Sequence, residues 1–166
     1  MAREMNPNPN SIHRLIHKIA MVRPVTAFFA VTLHRIDGAA MKISGGKFTV
    51  SQLAGWTIIQ LTTIGAKTGK KRMIPLIAAL DEDKIGLIAS SFGRMHNPGW
   101  YYNLKANPEC FVELKGKTGV YIARETDGAE YEKFWRIGTS VFAGYEKYKV
   151  RAAHRRIPVM VLEPKR

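Results

Sequence analysis

The spacing of hydrophobic and polar positions changes near residue 56. Before it, apolar residues recur at helical spacing from Ile12 to Val22, behind a candidate N-cap at Ser11. A second apolar segment begins at Pro24 and continues to Ile36. After Trp56, short apolar runs separated by turn residues are typical of strands. The pattern predicts a helical N-terminal arm and extension over residues 1–50 and a β-rich domain over residues 51–166.

Six strands are predicted in the β-rich domain. They extend over Trp56 to Ile64, Arg72 to Leu80, Lys84 to Ala89, Phe111 to Leu114, Gly119 to Arg124 and Ile157 to Leu162. Tight turns at 81–83 and 115–117 join two pairs as hairpins. Helices are predicted from Pro98 to Ala106, from an N-cap at Asp127 to Ile137, and from Tyr145 to His154. Few helices separate the strands, which favours an α+β, mainly β fold: a six-stranded antiparallel barrel with peripheral helices.

The charge balance points to an acidic partner. The 166 residues carry a formal net charge of +13, with a pI near 10.1. Such an excess suits a polyanionic small molecule, an anionic lipid surface or a nucleic acid. The single cysteine, Cys110, lies in an apolar strand and is interpreted as inert packing, which fits a reducing cytoplasm. No apolar run approaches the roughly 20 residues that span a bilayer, and the N-terminus lacks the apolar region of a secretory signal.

The N-terminal helix is strongly basic on one face. His13, Arg14, His17 and Lys18 lie opposite its apolar positions. Two interpretations stay open: the helix packs on the barrel or on a second subunit, or it lies on an anionic membrane surface. His13 and His17 are spaced for one metal ion, but no third ligand accompanies them, so no metal site is predicted.

The segment from Leu61 to Leu76 encloses a glycine-containing basic loop. Gly65 and Gly69 flank it, and it carries cations but no acid: Lys67, Lys70, Lys71 and Arg72. Glycines let backbone N–H groups turn toward a ligand, and clustered cations favour a phosphate or carboxylates. The spacing differs from a Walker A motif, because three residues separate the glycines and Lys71 follows Lys70. The alternative is a solvated basic turn.

Two further groups of residues carry candidate chemistry. Ser90 and Ser91 end a strand ahead of a helix whose free N–H groups begin near Gly99; their hydroxyls suit a polar ring or phosphate, or else cap the local backbone. Phe142, Tyr145 and Tyr148 form an aromatic group. A phenol donates a hydrogen bond to a substrate oxygen, although buried packing is the common role of such residues.

These segments, in this order, resemble the deazaflavin-dependent nitroreductase family. The resemblance is carried by Leu61 to Leu76, Ala89-Ser90, Asn97 to Pro108 and Ile157-Pro158-Val159, within a match from about Trp56 to Pro164. It implies a split β-barrel, a homodimer, and the cofactor coenzyme F420, with its phosphate and oligoglutamate tail. It also implies hydride transfer to electron-poor acceptors such as quinones, enones or nitro compounds.

The resemblance also implies a cofactor groove. Its residues would contact the phosphate and tail, lie along the cofactor, or face its ring. They are Lys67, Thr68, Arg72, Met73, Ile74, Pro75, Leu76, Ala89, Ser90, Ser91, Gly99, Trp100, Asn103 and Tyr145. Ser90, Tyr145 and Tyr148 would be the catalytic side chains. Ser91, Phe142 and Ile77 differ from the lysine and the two tyrosines that other members have there, which disfavours nitroimidazole reduction more than cofactor binding.

Two alternatives compete with a deazaflavin enzyme. A split barrel could hold FMN or haem instead, since both are also anionic. A basic module without catalysis could bind nucleic acid or lipid headgroups, although the chain has no groove that interleaves basic and aromatic residues, so no nucleic acid is expected. The preferred hypothesis is a cytoplasmic reductase of a small-molecule electron acceptor, peripheral on the inner face of the cell membrane.

Overall fold

The structure is a computed structural model that describes residues 56–166, which form one compact unit. The predicted helix from Ile12 to Val22 and the segment from Pro24 to Ile36 lie outside the described residues. So does the predicted boundary between residues 50 and 51. The fold described below is therefore that of the predicted β-rich domain.

Seven antiparallel strands form one sheet in the order β2-β1-β5-β6-β7-β4-β3. Their bounds are β1 Ile58–Ile64, β2 Lys71–Ile77, β3 Ala79–Asp81, β4 Lys84–Ile88, β5 Glu109–Leu114, β6 Lys117–Thr126 and β7 Val159–Pro164. Three helices accompany them in the described part, namely α1 Gly99–Ala106, α2 Gly128–Val141 and α3 Gly144–Arg151. The mainly β, antiparallel prediction is confirmed.

The sheet has seven strands where six were predicted because one extended segment changes partner. Ala78 alone separates β2 from β3, and its N–H donates to the Thr57 carbonyl at 2.8 Å. Before Ala78 the segment pairs with β1, and after it with β4. The two outermost strands of the sheet are thus consecutive in the chain, so the sheet must curl until its edges nearly meet. The result is a curled half-barrel.

Alternation along the strands divides the core into two layers. One face of the sheet buries Ile59, Leu61, Leu87, Met160 and Leu162 together with Trp100 and Leu104 of α1. The other face packs against α2 and α3 through residues that include Ile88, Val159, Val161, Phe134 and Tyr145. Strands β4 and β7 are therefore buried on both faces, as their nearly continuous apolar sequences require.

The predicted helices are present, with shifted ends. Helix α2 continues beyond Ile137 to Val141, because Gly138 is a packing site: a Cβ there would lie 2.3 Å from Ile88 Cδ1. Helix α3 ends at Arg151 rather than His154. The last strand begins at Val159 rather than Ile157, because the Ile157 carbonyl accepts the Tyr131 hydroxyl instead. Among the described residues, no helix has the length and apolarity needed to cross a bilayer.

Candidate active site

The basic loop, residues 65–72, joins β1 to β2. It is closed by backbone hydrogen bonds from Gly65 N–H to the Lys70 carbonyl (2.9 Å) and from Gly69 N–H to the Gly65 carbonyl (2.8 Å). Gly69 adopts a φ of 65°, which an L side chain rarely takes. The four cations Lys67, Lys70, Lys71 and Arg72 are exposed, and none has a carboxylate within 4.0 Å in residues 56–166. The loop therefore carries four positive charges with no acidic partner in this unit.

Helix α1 fixes the position of the basic loop. The Asn103 side chain accepts the Ala66 N–H (3.0 Å) and donates to the Thr63 hydroxyl (3.0 Å), which is buried at the end of β1. Asn107 donates to the Ile64 carbonyl (3.4 Å). Asn103, predicted to touch the cofactor, thus has its amide engaged within the protein. In this arrangement Asn103 fixes the conformation of the basic loop at Ala66.

Strand β2 leads away from the basic loop with one edge open. It pairs with β1 on one side, and no described strand pairs with its other side. Ile74 and Leu76 pack against the core layer that holds α1, while Met73 is 70% exposed. Pro75 suits such an edge because it has no N–H to pair. The open edge offers backbone groups of the predicted groove residues to a ligand.

The Ser90 loop, residues 90–97, leaves the end of β4 in a strained conformation. Ser91, Phe92 and Gly93 have φ values of 48°, 59° and 76° in succession. Two of these residues carry side chains, for which the left-handed region is unfavourable. Gly93 packs tightly on α3, since a Cβ there would lie 2.6 Å from Arg151 Cβ and 2.9 Å from the Tyr148 carbonyl oxygen. Strain of this kind tends to occur at functional sites.

Arg155, which the sequence did not single out, holds the Ser90 loop. Its Nη2 donates to the Ser90 carbonyl (2.8 Å) and its Nε to the Arg94 carbonyl (2.9 Å). Its Nη1 donates to Asn97 Oδ1 (2.5 Å) and to the Arg156 carbonyl (3.3 Å). The only local signal is one arginine within a basic run after α3, and nothing in that run identifies its partners 58 to 65 residues away.

An aromatic cluster connects the Ser90 loop, which carries Phe92, to α3, which carries Tyr145 and Tyr148. Its fourth member is Phe142, which follows α2. The Phe92 ring meets Tyr148 edge-on at 5.7 Å, and Phe142 meets Tyr145 edge-on at 5.3 Å. Tyr145 and Tyr148 lie 6.3 Å apart. The structure thereby brings the three predicted catalytic residues, Ser90, Tyr145 and Tyr148, into one region.

These three residues share an unusual environment. Each residue is less than a tenth exposed, none of the three hydroxyls makes a hydrogen bond within residues 56–166, and none of these oxygens is fully buried. Burial raises the pKa of the Tyr145 phenol well above its usual value, and it raises that of Tyr148 to about 12 despite the nearby Arg151. Both phenols therefore stay protonated at neutral pH and are available as hydrogen-bond donors.

The remaining predicted residues divide between core and surface. Trp100 is 7% exposed and packs in the core layer, and Ala89 is fully buried. Gly99 is exposed at the start of α1, with open space where a Cβ would stand. Lys67 and Thr68 are exposed in the basic loop. In the described part of the chain, no three metal-ligating side chains come together.

Several known proteins resemble this chain in sequence and fold. An F420H(2)-dependent quinone reductase of Mycobacterium tuberculosis strain H37Rv is 37% identical over 105 residues, covering 61% of this chain and 70% of that protein. The solved structure of an F420-H2 dependent reductase (FDR-A) is 37% identical with a TM-score of 0.60, covering 64% of this chain and 94% of that one. Another, described as a domain-swapped dimer, is 30% identical with a TM-score of 0.62, covering 84% and 99%.

The family model for F420H(2)-dependent quinone reductases matches residues 33–164. The chain belongs to this family. It is a deazaflavin-dependent reductase, and coenzyme F420 is its cofactor. Membership decides against FMN or haem and against a basic module without catalysis. The curled antiparallel sheet of the reductase is compatible with the predicted split barrel, although it has seven strands instead of six.

The residues of the site suit this cofactor. A phosphate and glutamate carboxylates require cations that are not already neutralised, and the basic loop provides four such side chains. A ring with polar edges requires donors without other partners, and the hydroxyls of Ser90, Tyr145 and Tyr148 meet that description in residues 56–166. The two ends of the reductase site thus have the polarity that the two ends of the cofactor need.

Proposed function

We propose that the reductase transfers a hydride from reduced F420 to a quinone, in a groove that follows strand β2. The observation that carries this proposal is the continuity of one extended segment, residues 71–81. It begins at the unpaired cations of the basic loop and passes through Ala79, which packs in the same core layer as Tyr145 and Tyr148. At about 3.3 Å per residue, Arg72 and Ala79 lie roughly 23 Å apart along it.

At one end, Lys67, Thr68 and Arg72 would hold the phosphate and tail. Arg72 is suited to this role because a guanidinium binds phosphate or carboxylate through two parallel hydrogen bonds. The backbone of residues 73–76, on the open edge of β2, would line the middle of the groove. Asn103 supports the site indirectly, by fixing Ala66 in the loop.

At the other end, the aromatic cluster and the Ser90 loop would enclose the acceptor. When bound, the reduced cofactor supplies a hydride from C5 to an electron-poor centre. The hydroxyls of Ser90 and Tyr145 would donate hydrogen bonds to the acceptor oxygen as negative charge develops there. Tyr148, held against Phe92, would close the side of the pocket and exclude water. Phe142 provides no donor, which favours quinones over nitroimidazoles.

The Arg72→Ala variant tests the basic end of the groove. Loss of one charge-assisted contact should weaken F420 binding by about 1–3 kcal/mol without unfolding the protein, because Arg72 is exposed. Fluorescence titration with oxidised F420 measures this directly. The matched control is Lys117→Ala, which removes an exposed charge at the start of β6, at the far end of the β5–β6 hairpin. An unchanged affinity in Arg72→Ala would remove that residue from the site.

A cofactor comparison tests the reaction itself. Wild-type protein is titrated with F420, FMN and haem, and F420H2 oxidation is then followed with a water-soluble quinone and a nitroimidazole. Tight binding of F420 and faster turnover of the quinone are expected. Binding of FMN with none of F420 would contradict the proposal, as would a preference for the nitroimidazole.

We also propose that the protein is a cytoplasmic homodimer which meets anionic membrane through the helix from Ile12 to Val22. The support is the basic face of that helix in the sequence, and for the dimer the relative described as domain-swapped. Co-sedimentation with neutral and anionic vesicles, with and without residues 1–22, tests the membrane contact. Equal recovery in all four samples would exclude it. Sedimentation velocity decides between monomer and dimer.

A further inference from the structure

The Ser90 loop packs on α3 through Phe92 and Gly93, and one side chain makes the hydrogen bonds that attach it to the rest of the described domain. Three consecutive residues with φ between 48° and 76° do not persist unless neighbouring groups determine their conformation. Within the loop, the Ser90 carbonyl accepts the Gly93 N–H (2.9 Å), and the Ser91 carbonyl accepts the Arg94 N–H (3.1 Å). These two bonds close the turn but do not attach it to the rest of the domain.

Arg155 supplies that attachment. Its guanidinium donates to the Ser90 carbonyl at the start of the loop, to the Arg94 carbonyl in the middle and to Asn97 Oδ1 at the end. A rigid planar fork with donors on three nitrogens is needed to reach three acceptors in different directions. Lysine, whose donors all lie on one nitrogen, cannot do the same. The contacts are thus specific to arginine.

The guanidinium also keeps its charge unpaired. Its partners are backbone carbonyls and an amide oxygen, and no carboxylate lies within 4.0 Å of it in residues 56–166. Arg124, by contrast, is paired with two carboxylates, those of Glu130 and Glu163. Arg155 instead brings positive charge to the loop that carries the Ser90 hydroxyl.

We propose that Arg155 is a positioning residue for the reaction: it fixes the loop so that the Ser90 hydroxyl and the Phe92 ring face the acceptor end of the groove. This inference rests on the proposed function for the role of Ser90. It predicts that loss of Arg155 releases the loop and slows hydride transfer, while the basic end of the groove still binds F420. A misplacement of about 1 Å in such a group can lower a rate roughly a hundredfold.

The test compares Arg155→Ala with Arg124→Ala as the matched control. Arg124 is likewise an arginine with several hydrogen bonds, three to side chains, but it lies near Lys84 at the other end of β4, roughly 20 Å from Ser90. Hydrogen exchange of the peptide covering residues 89–97 reports on the loop without any cofactor. Titration with oxidised F420 reports on binding, and steady-state kinetics with a quinone report on transfer.

In Arg155→Ala we expect exchange of the Gly93 and Arg94 amides to accelerate about tenfold or more, kcat to fall about tenfold or more, and F420 affinity to change by less than about threefold. Added guanidinium ion should restore part of kcat. Arg124→Ala should lose thermal stability yet keep wild-type loop exchange and kcat. Arg155→Lys, which keeps the charge if the alanine variant does not fold, should give intermediate exchange and kcat.

Loop exchange at the wild-type rate in Arg155→Ala or Arg155→Lys would overturn the inference. So would a kcat no lower than that of Arg124→Ala. Failure of the proposed function gives a different result, because the wild-type protein would then neither bind F420 nor reduce quinone, whereas the exchange difference between the two arginine variants would remain.

Discussion

Among single residues, Ser90, Tyr145 and Tyr148 distinguish the site from the core around it, because each is mostly buried while its hydroxyl makes no hydrogen bond in residues 56–166. Two other buried aromatic side chains are paired by contrast: Tyr131 donates to the Ile157 carbonyl (3.1 Å), and Trp135 donates to Glu146 (2.8 Å). A hydroxyl that has no protein partner and still reaches the surface of such a cluster is available to a ligand. Burial also keeps Tyr145 protonated, which makes it a donor and never a base at physiological pH.

Tyr145→Phe should separate function from stability. Removal of a hydroxyl that has no partner in residues 56–166 should change the free energy of unfolding by less than about 0.5 kcal/mol. Quinone reduction should slow about ten- to a hundredfold, since a donor to the developing charge is lost. Denaturant unfolding and kcat measurements provide the two numbers.

Tyr131→Phe is the control for that prediction, because it also removes one tyrosine hydroxyl from the core layer that contains α2 and α3. It breaks the bond to the Ile157 carbonyl, so it should cost about 1 kcal/mol of stability and leave kcat unchanged. If the two variants have the same kcat, the Tyr145 hydroxyl takes no part in the reaction.

Among the secondary-structure elements, α1 connects the basic loop to the rest of the described domain. Besides Asn103 and Asn107, Tyr101 and Lys105 bind Glu125 on β6 at 2.9 and 3.0 Å. Burial tends to raise the pKa of Glu125, but these two donors lower it overall, so the carboxylate stays charged and paired. The helix is thus attached to β6 on one side and to the basic loop on the other.

Asn103→Ala should therefore affect binding through the loop. The variant leaves the buried Thr63 hydroxyl and the Ala66 N–H without their partner, at a cost of about 1–3 kcal/mol of stability. F420 affinity should fall about fivefold, which corresponds to about 1 kcal/mol. Fluorescence titration and thermal unfolding measure the two effects. Full affinity together with reduced stability would show that the loop keeps its shape without α1.

Strands β4, β6 and β7 are joined to α2 by an ionic network centred on Arg124. Its guanidinium binds Glu130 through two bonds of 2.6 and 2.8 Å and Glu163 at 2.9 Å, and Lys84 reaches Glu163 at 2.8 Å. The hydrogen bonds from Arg124 and Thr126 lower the pKa of Glu130 to about 2. A lowered folded-state pKa contributes stability above the unfolded value near 4.5, and that stability is lost as the pH falls toward 2.

Glu130→Gln should reduce stability in the same pH range. At pH 7 we expect a loss of about 1–2 kcal/mol, less than the full pKa shift would give because water screens a partly exposed pair. The difference from wild type should shrink as the pH falls below about 4. Glu132→Gln, an exposed neighbour on α2, is the control and should be neutral. A pH-independent loss would mean that the carboxylate acts by packing rather than by charge.

The parts of this fold that follow local patterns could be predicted, and those that depend on distant pairs could not. The β5–β6 hairpin follows from Lys115-Gly116, whose φ values of 51° and 76° suit a two-residue turn. The alternation in β1 predicts its buried face. By contrast, Asn103 meets Ala66 across 37 positions and Arg155 meets Ser90 across 65. Such partners are chosen by topology, so an arginine in a basic run gives no local sign of its role.

For the molecule as a whole, the character of the side chains changes from charged to apolar along the segment formed by β2 and β3. The cations are concentrated where β2 begins, and the apolar and aromatic side chains where β3 begins. In the proposed groove, a long cofactor with an anionic tail would bind in the direction that keeps its charges away from Phe142, Tyr145 and Tyr148. The segment formed by β2 and β3 joins the two edges of the sheet, so in the proposed groove the feature that closes the sheet would also orient the ligand.

The charge of the whole chain predicts a salt dependence that differs between the two substrates. A net charge of +13 attracts an anionic cofactor over long range, and this attraction is screened beyond a Debye length of about 8 Å at physiological ionic strength. Raising NaCl from about 20 to about 300 mM should lower kcat/KM for F420H2 several-fold, with kcat for the bound cofactor nearly constant. The KM of an uncharged quinone should not change. Arg72→Ala should show a weaker salt dependence than wild type, and Lys117→Ala should lie between them. Equal salt dependence for cofactor and quinone would mean that charge acts on the stability of the protein rather than on the encounter with F420H2.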